Sequence, residues 1–94
     1  MFGTIFRMRV KPGKKDEAMS ALMADDRQIK GFVSSYIYDT GDNELWGAVV
    51  FRDEESYRAN ANDPEQDKWY RRLREHLEAD PDWHDGTIRV WPEG

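Results

Sequence analysis

The segment 63–77 restricts the fold most strongly, because its residues specify both ends of a helix. Asp63 can accept hydrogen bonds from the free N–H groups of a first helical turn. Pro64 suits the first helical position, where no donor is needed, and Gln66 stands where a capping box would place it. Asp80 precedes a proline and therefore avoids the α region, so we expect the helix to stop there.

This helix has one face with apolar residues and one histidine at spacings of three and four. The face must pack against the rest of the chain. Two interpretations remain open, since the face can be entirely core or can partly line a pocket. Its residues are Trp69, Tyr70, Leu73, His76 and Leu77.

Four other segments, 2–10, 30–40, 44–52 and 83–91, show the period-two alternation that is typical of strands. The second and third are separated by Gly41-Asp42-Asn43, which predicts a hairpin. Helices are expected from Lys14 to about Arg27 and, capped by Asp53, to about Ala61. The order β-α-β-β-α-α-β predicts an α+β, ferredoxin-like sandwich with a four-stranded antiparallel sheet and a split second helix. We expect residues 1–94 to form one domain.

Composition excludes several classes of protein. A net charge of −5 without a basic cluster argues against nucleic-acid binding. The chain has no cysteine, so disulfides and thiol catalysis are excluded. No apolar run reaches the length of a membrane span and no signal-peptide pattern opens the chain, so we expect a cytoplasmic protein without membrane contact. Aromatic residues make up 13% of the chain and must fill a core, an interface or a pocket.

The third strand is apolar on both faces, with Leu45 and Val49 on one side and Trp46 and Val50 on the other. The predicted helices can cover only one face of the sheet. We therefore predict a homodimer that packs sheet to sheet. Trp91 supports this prediction, because a Trp near a terminus frays unless a partner covers it. The alternative is a monomer that tolerates surface aromatics.

Three short motifs resemble the antibiotic biosynthesis monooxygenase-like family, within the dimeric α+β barrel superfamily. They are Val10-Lys11-Pro12-Gly13-Lys14, Gly31-Phe32 and Phe51-Arg52-Asp53-Glu54-Glu55-Ser56-Tyr57. The resemblance implies a ferredoxin-like protomer, a dimer whose two sheets form a barrel, and a pocket between sheet and helices. The family's activities include cofactor-independent oxygenation of aromatic polyketides, quinol oxidation and haem degradation.

Haem degradation does not fit this chain. Relatives with that activity use an Asn on the first strand, a Trp on the short helix and a His on the following helix. Here Phe6 and Met8 occupy the first-strand positions, and Asn60 stands about where the Trp would fall. His76 lies later in its helix than the haem ligand would.

Cofactor-free oxygenation requires a protein that binds a flat ring, holds its anion and limits water. Asn60 is the candidate donor to a phenolate, and Trp69 is the candidate stacking residue. Tyr36 or His76 could accept or relay a proton. Each also has a purely structural explanation, such as a helix end, core packing, the dimer interface or the helix dipole. The other candidate ligand contacts are Phe6 and Tyr57.

Two functions remain open at this point. One is a homodimeric protein that binds an aromatic small molecule and acts as a cofactor-free monooxygenase on a phenol or quinol. The other is a non-catalytic ligand-binding, stress-response or accessory module. The sequence does not say whether the aromatics fill the pocket or surround it. The two histidines are far apart and predict no metal site, and the resemblance implies no cofactor.

Overall fold

The structure, a computed structural model, describes residues 1–24 and 27–92 as a sheet with helices on one face. The sheet is antiparallel and has the order β2-β3-β1-β4. This arrangement confirms the predicted α+β, ferredoxin-like fold with its split second helix. The elements are β1 (Phe2–Arg9), α1 (Lys15–Met23), β2 (Phe32–Asp39), β3 (Glu44–Phe51), α2 (Glu54–Ala61), α3 (Pro64–Arg74) and β4 (Asp82–Thr87).

The helices cover the sheet face that carries alternate residues of the central strand β1. On this strand Thr4, Phe6 and Met8 are buried, whereas Ile5 and Arg9 are exposed. The period of two along a strand produces this contrast. The main core cluster comprises Phe6, Met8, Val10, Ala18, Leu45, Leu73 and Leu77.

The predicted start of α3 is confirmed, because Asp63 is the N-cap and Pro64 is the first helical residue. The Asp63 carboxylate accepts from the Glu65 backbone N–H at 2.9 Å. The capping box, however, does not form. The side-chain oxygen of Gln66 accepts from Arg27 Nη2 at 2.9 Å instead.

The predicted end of α3 is wrong, since the helix stops at Arg74 and not at Asp80. Its last turn tightens into the i→i−3 pattern, with the Leu77 N–H donating to the Arg74 carbonyl at 3.1 Å. Leu77 then forms an antiparallel β-bridge with Val10, at the end of β1. A long-range backbone pairing therefore ends the helix before the proline signal is reached.

Three other boundaries differ from the predictions. Helix α1 ends at Met23, short of Arg27, and residues 25 and 26 lie outside the described part of the chain. Strand β4 ends at Thr87 and not at residue 91. Strand β2 shifts register between residues 32 and 34, so Phe32 packs edge-on against Phe51 with ring centroids 5.9 Å apart. Strict alternation would place Phe32 on the face of Tyr36, and the irregularity moves it to the opposite face.

The second face of the sheet has no covering layer among the described residues. Ile5 is 55% exposed and Tyr36 is 59% exposed on this face. The register places further large side chains on it, namely Tyr38, Trp46 and Val50. Among residues 1–24 and 27–92, no helix is long and apolar enough to cross a membrane.

Candidate functional site

A cleft of about 550 Å³ lies between the helix layer and the sheet. Phe6 forms part of its floor and is only 2% exposed. Its ring centroid lies 4.8 Å from that of Trp83, with the two planes tilted by 41°. Aromatic side chains thus fill part of the space and line the remainder. The aromatic lining consists of Phe6, Phe51, Tyr57, Trp69, Tyr70 and Trp83.

Trp69 is held in place by a hydrogen bond that spans two helices. Its indole Nε1 donates to the Ala21 carbonyl of α1 at 2.9 Å. The ring is half-buried and packs against the main core. Because the indole donor already has a partner, Trp69 can offer a ligand its ring but not its N–H.

Helix α2 places Asn60 at the cleft. Asp53 caps the helix by accepting from the Ser56 N–H at 2.8 Å, which fixes where the helix begins. Tyr57 and Asn60 then lie three residues apart, on one face of the helix. Within residues 1–24 and 27–92, the side-chain amide of Asn60 makes no hydrogen bond. The amide is therefore available to a ligand.

Tyr57, Asp85 and Arg58 form a hydrogen-bonded group where α2 approaches β4. The Tyr57 hydroxyl donates to Asp85 Oδ1 at 2.8 Å, and Arg58 Nη1 donates to Asp85 Oδ2 at 3.3 Å. Desolvation, followed by the hydrogen bond and charge of Asp85, raises the pKa of Tyr57 to about 12. Desolvation also acts to raise the pKa of Asp85, but the hydrogen bonds from Tyr57 and Thr4 and the charge of Arg58 outweigh it, so this pKa is lowered.

A second group of the same kind forms where α3 faces the segment before β4. The Tyr70 hydroxyl donates to Asp80 Oδ1 at 2.8 Å, and Arg74 Nε donates to the same oxygen at 2.9 Å. Desolvation and then the hydrogen bond to Asp80 raise the pKa of Tyr70 to about 12. The hydrogen bonds from Tyr70 and Arg74 lower the pKa of Asp80. Both tyrosines are therefore neutral near pH 7 and both aspartates are charged.

The structure brings four of the six predicted site residues to this cleft and leaves two elsewhere. Asn60, Trp69, Phe6 and Tyr57 line it.

Tyr36 and His76 do not line the cleft, and both placements correct the prediction. Tyr36 pairs with Ala48 across β2 and β3, on the sheet face that the helices leave open. His76 lies in the turn after α3, where its carbonyl accepts from the Lys11 N–H at 2.9 Å. Neither side chain can relay a proton within this cleft.

The cleft also contains residues that the sequence patterns did not single out as candidates, among them Asp80, Trp83 and Asp85. Asp80 was treated only as a helix stop. For Trp83 and Asp85 the sequence does contain an indication. Their spacing of two puts both side chains on the same face of β4. Register pairs them with Phe6 and Thr4, both buried on the helix side.

The described residues contain no group of three His, Asp or Glu side chains arranged to hold a metal ion. The chemistry that this cleft offers therefore rests on three features of its lining. These are the aromatic surfaces, the free Asn60 amide and the two tyrosine–aspartate pairs.

Comparison with solved structures identifies proteins that have a similar fold. The chain superposes on a Chloroflexus aurantiacus protein, a candidate antibiotic biosynthesis monooxygenase, with a TM-score of 0.78 and 26% identity, covering 99% of this chain and 96% of that one. It superposes on SnoaB, a cofactor-independent oxygenase from Streptomyces nogalater, with a TM-score of 0.84 and 19% identity over 98% and 97% of the two chains. This chain has the antibiotic biosynthesis monooxygenase-like fold. The resemblance inferred from the sequence motifs is thereby confirmed.

A third protein with the antibiotic biosynthesis monooxygenase-like fold was solved with a ligand. It is the monooxygenase ActVA-Orf6 of Streptomyces coelicolor in complex with nanaomycin D. Its TM-score is 0.80 at 20% identity, over 98% of this chain and 92% of that one. No protein-family model matches the chain, and no curated protein matches it by sequence.

Proposed function

We propose that this cleft binds a flat phenol or quinol and oxidises it with molecular oxygen, without a cofactor. The observation that carries the proposal is the free side-chain amide of Asn60 beside an aromatic-lined cleft. The likeness to SnoaB, a cofactor-independent oxygenase, and to a monooxygenase that holds nanaomycin D supports it.

The reaction balances without a co-reductant. A phenol loses its hydroxyl hydrogen and one ring hydrogen and gains one oxygen atom, which yields a quinone. The second oxygen atom leaves with the two hydrogens as water, so the substrate supplies all four electrons. The deprotonated phenol is the form that reduces oxygen, and the role of Asn60 is to stabilise that anion by donating a hydrogen bond.

The tyrosines and aspartates of the lining that have shifted pKa values all have them shifted away from pH 7. The pKa of Tyr57 and of Tyr70 is raised to about 12, and the pKa of Asp80 and of Asp85 is lowered. A general base is most effective with a pKa near the working pH. The acidity of the substrate and the Asn60 hydrogen bond must therefore account for much of the ionisation.

The test is oxygen uptake with a series of electron-rich quinols and polyketide phenols. Asn60→Ala should lower kcat by roughly 10²-fold, as does loss of one oxyanion donor elsewhere, while ligand quenching of Trp fluorescence persists. Asn62→Ala is the matched control, because Asn62 is exposed at the end of the same helix and should leave uptake unchanged. Equal uptake by the Asn60→Ala and wild-type proteins would contradict the proposed role.

A second candidate function is a non-catalytic module that binds an aromatic ligand. The buried ring of Phe6 and the scarcity of groups that titrate near neutrality favour it. The two candidates give different results in one experiment. A wild-type protein that binds quinols but consumes no oxygen is a module, whereas turnover that depends on Asn60 identifies an enzyme.

We further propose that the protein functions as a homodimer joined through the open sheet face. Ile5 stands on the central strand of this face and is 55% exposed, and Trp91 beyond β4 is 91% exposed. A lysine buried at such an interface would lack a partner, so Ile5→Lys should raise the dimer dissociation constant by more than about tenfold. Met23→Lys, on α1, is the matched control.

Trp91→Ala should weaken the same dimer, because the indole has no cover within the described chain. Sedimentation velocity over a dilution series measures each variant. A monomeric wild-type protein at every concentration, or an Ile5→Lys protein that dimerises like the wild type, would contradict the dimer.

A further inference from the structure

The charges at the cleft all have the same sign. Its charged lining residues are Asp67, Asp80 and Asp85, and no Lys, Arg or His of the described residues lines it. Asp85 is the most sheltered of the three, with its side chain 32% exposed against 78% for Asp80 and 57% for Asp67. Its charge is therefore screened least by solvent.

The arginine that balances Asp85 approaches from outside the cleft. Arg58 holds Asp85 Oδ2 at 3.3 Å, but its own side chain is 52% exposed and does not line the cleft. Its guanidinium instead lies over the Phe2 ring at 5.4 Å from the centroid. The ion pair is thus oriented with its negative end towards the ligand space.

The Tyr57 hydroxyl beside Asp85 offers a ligand a hydrogen-bond acceptor but no donor. Tyr57 has a single hydroxyl hydrogen and donates it to Asp85 Oδ1 at 2.8 Å. A ligand can therefore meet only the lone pairs of the Tyr57 oxygen and of the carboxylate. The Tyr70–Asp80 pair repeats this arrangement on the α3 side.

We propose that Asp85, with Asp80 in support, determines the charge of the ligand that the cleft accepts. The cleft selects neutral or cationic aromatic molecules whose O–H or N–H groups face β4, and it rejects aromatic carboxylates. The aromatic walls add to this preference, because ring faces attract cations. Asn60, on α2, can donate a hydrogen bond from its side-chain amide. At that position one ligand hydroxyl can therefore be an acceptor or be ionised. The inference rests on the proposed binding of an aromatic ring.

Three ligands with one ring system test it: 2-naphthalenemethanol, 2-naphthylmethylamine and 2-naphthoate. At pH 7 they are neutral, cationic and anionic, and binding is followed by calorimetry. The amine should bind at least about threefold more tightly than the alcohol, and the naphthoate at least about tenfold more weakly. Added salt should reduce both ratios in the wild-type protein, a result that depends on no variant.

Asp85→Asn removes the charge and keeps an oxygen that can accept from Tyr57. It should reduce the amine-to-naphthoate affinity ratio at least about fivefold. Asp16→Asn, in the first turn of α1, changes the net charge equally and should leave the ratio unchanged. The inference would be overturned if Asp85→Asn left the amine-to-naphthoate affinity ratio unchanged, or if naphthoate bound to the wild-type protein as tightly as the alcohol. Either result would leave the proposed binding of an aromatic ring intact. Failure of the alcohol itself to bind would overturn the proposed function and this inference with it.

Discussion

Gly47→Ala tests whether the floor of the cleft depends on one glycine. Gly47 pairs with Phe6 across β3 and β1, and the Phe6 ring lies over it. A Cβ at position 47 would stand 2.2 Å from Phe6 Cζ. Carbon atoms pack at about 3.5–4.0 Å, so the ring would have to retreat by at least about 1.3 Å. Phe6 is 2% exposed and packs on Trp83, so the shift disturbs a filled region.

We expect this overpacking to lower the free energy of unfolding by about 1–3 kcal/mol. Urea denaturation followed by Trp fluorescence measures the change. Gly86→Ala is the matched control, because Gly86 also lies in a strand but a Cβ there meets nothing within 4 Å. That substitution should change stability by less than about 0.5 kcal/mol.

A double-mutant cycle with Phe6→Leu isolates the proposed clash. The leucine side chain is shorter than the phenyl ring and does not reach the position of Cζ. Gly47→Ala should therefore cost less than about 0.5 kcal/mol in the Phe6→Leu protein. If Gly47→Ala is equally destabilising in both backgrounds, contact with the Phe6 ring is not the cause of the lost stability.

Three further predictions concern the helix layer and the tyrosines. Arg71→Ala should change stability by less than about 0.5 kcal/mol, because its pair with Asp67 is exposed on both sides; a larger loss in urea denaturation would mean that α3 is rotated. Leu73→Ala should cost about 2–5 kcal/mol by the same assay, because Leu73 is fully buried in the core; a smaller loss would place it at the surface. The pKa of Tyr57 and of Tyr70 lies at about 12 in the folded protein, above the unfolded value of about 10, so their contribution to stability is complete below about pH 10 and is lost as the pH rises through 12. Absorbance titration of tyrosinate should show Asp85→Asn lowering the pKa of Tyr57, because the variant removes the Asp85 charge, and an unmoved titration curve would contradict that electrostatic contribution.

Local patterns were sufficient for the elements whose signals are local. The Asp63-Pro64 cap and the Asp53 cap start α3 and α2 as expected, because capping involves only neighbouring backbone groups. Period-two alternation identified all four strands. It also placed Leu45 and Val49 opposite Trp46 and Val50, so the apolar character of both faces was visible without coordinates.

Long-range pairing decided what the local patterns left open. Alternation tells which residues share a face but not which face the helices cover, and for that reason Tyr36 was wrongly expected at the site. The bridge between Val10 and Leu77 ends α3 early and removes His76 from the helix, and nothing within 63–77 signals it. That Asn60 on α2 and Asp85 on β4 line the same cleft likewise depends on how β4 pairs with β1. The chain alone therefore determined the elements and the fold class, whereas the partners of each side chain at the cleft were determined by tertiary packing between residues distant in sequence.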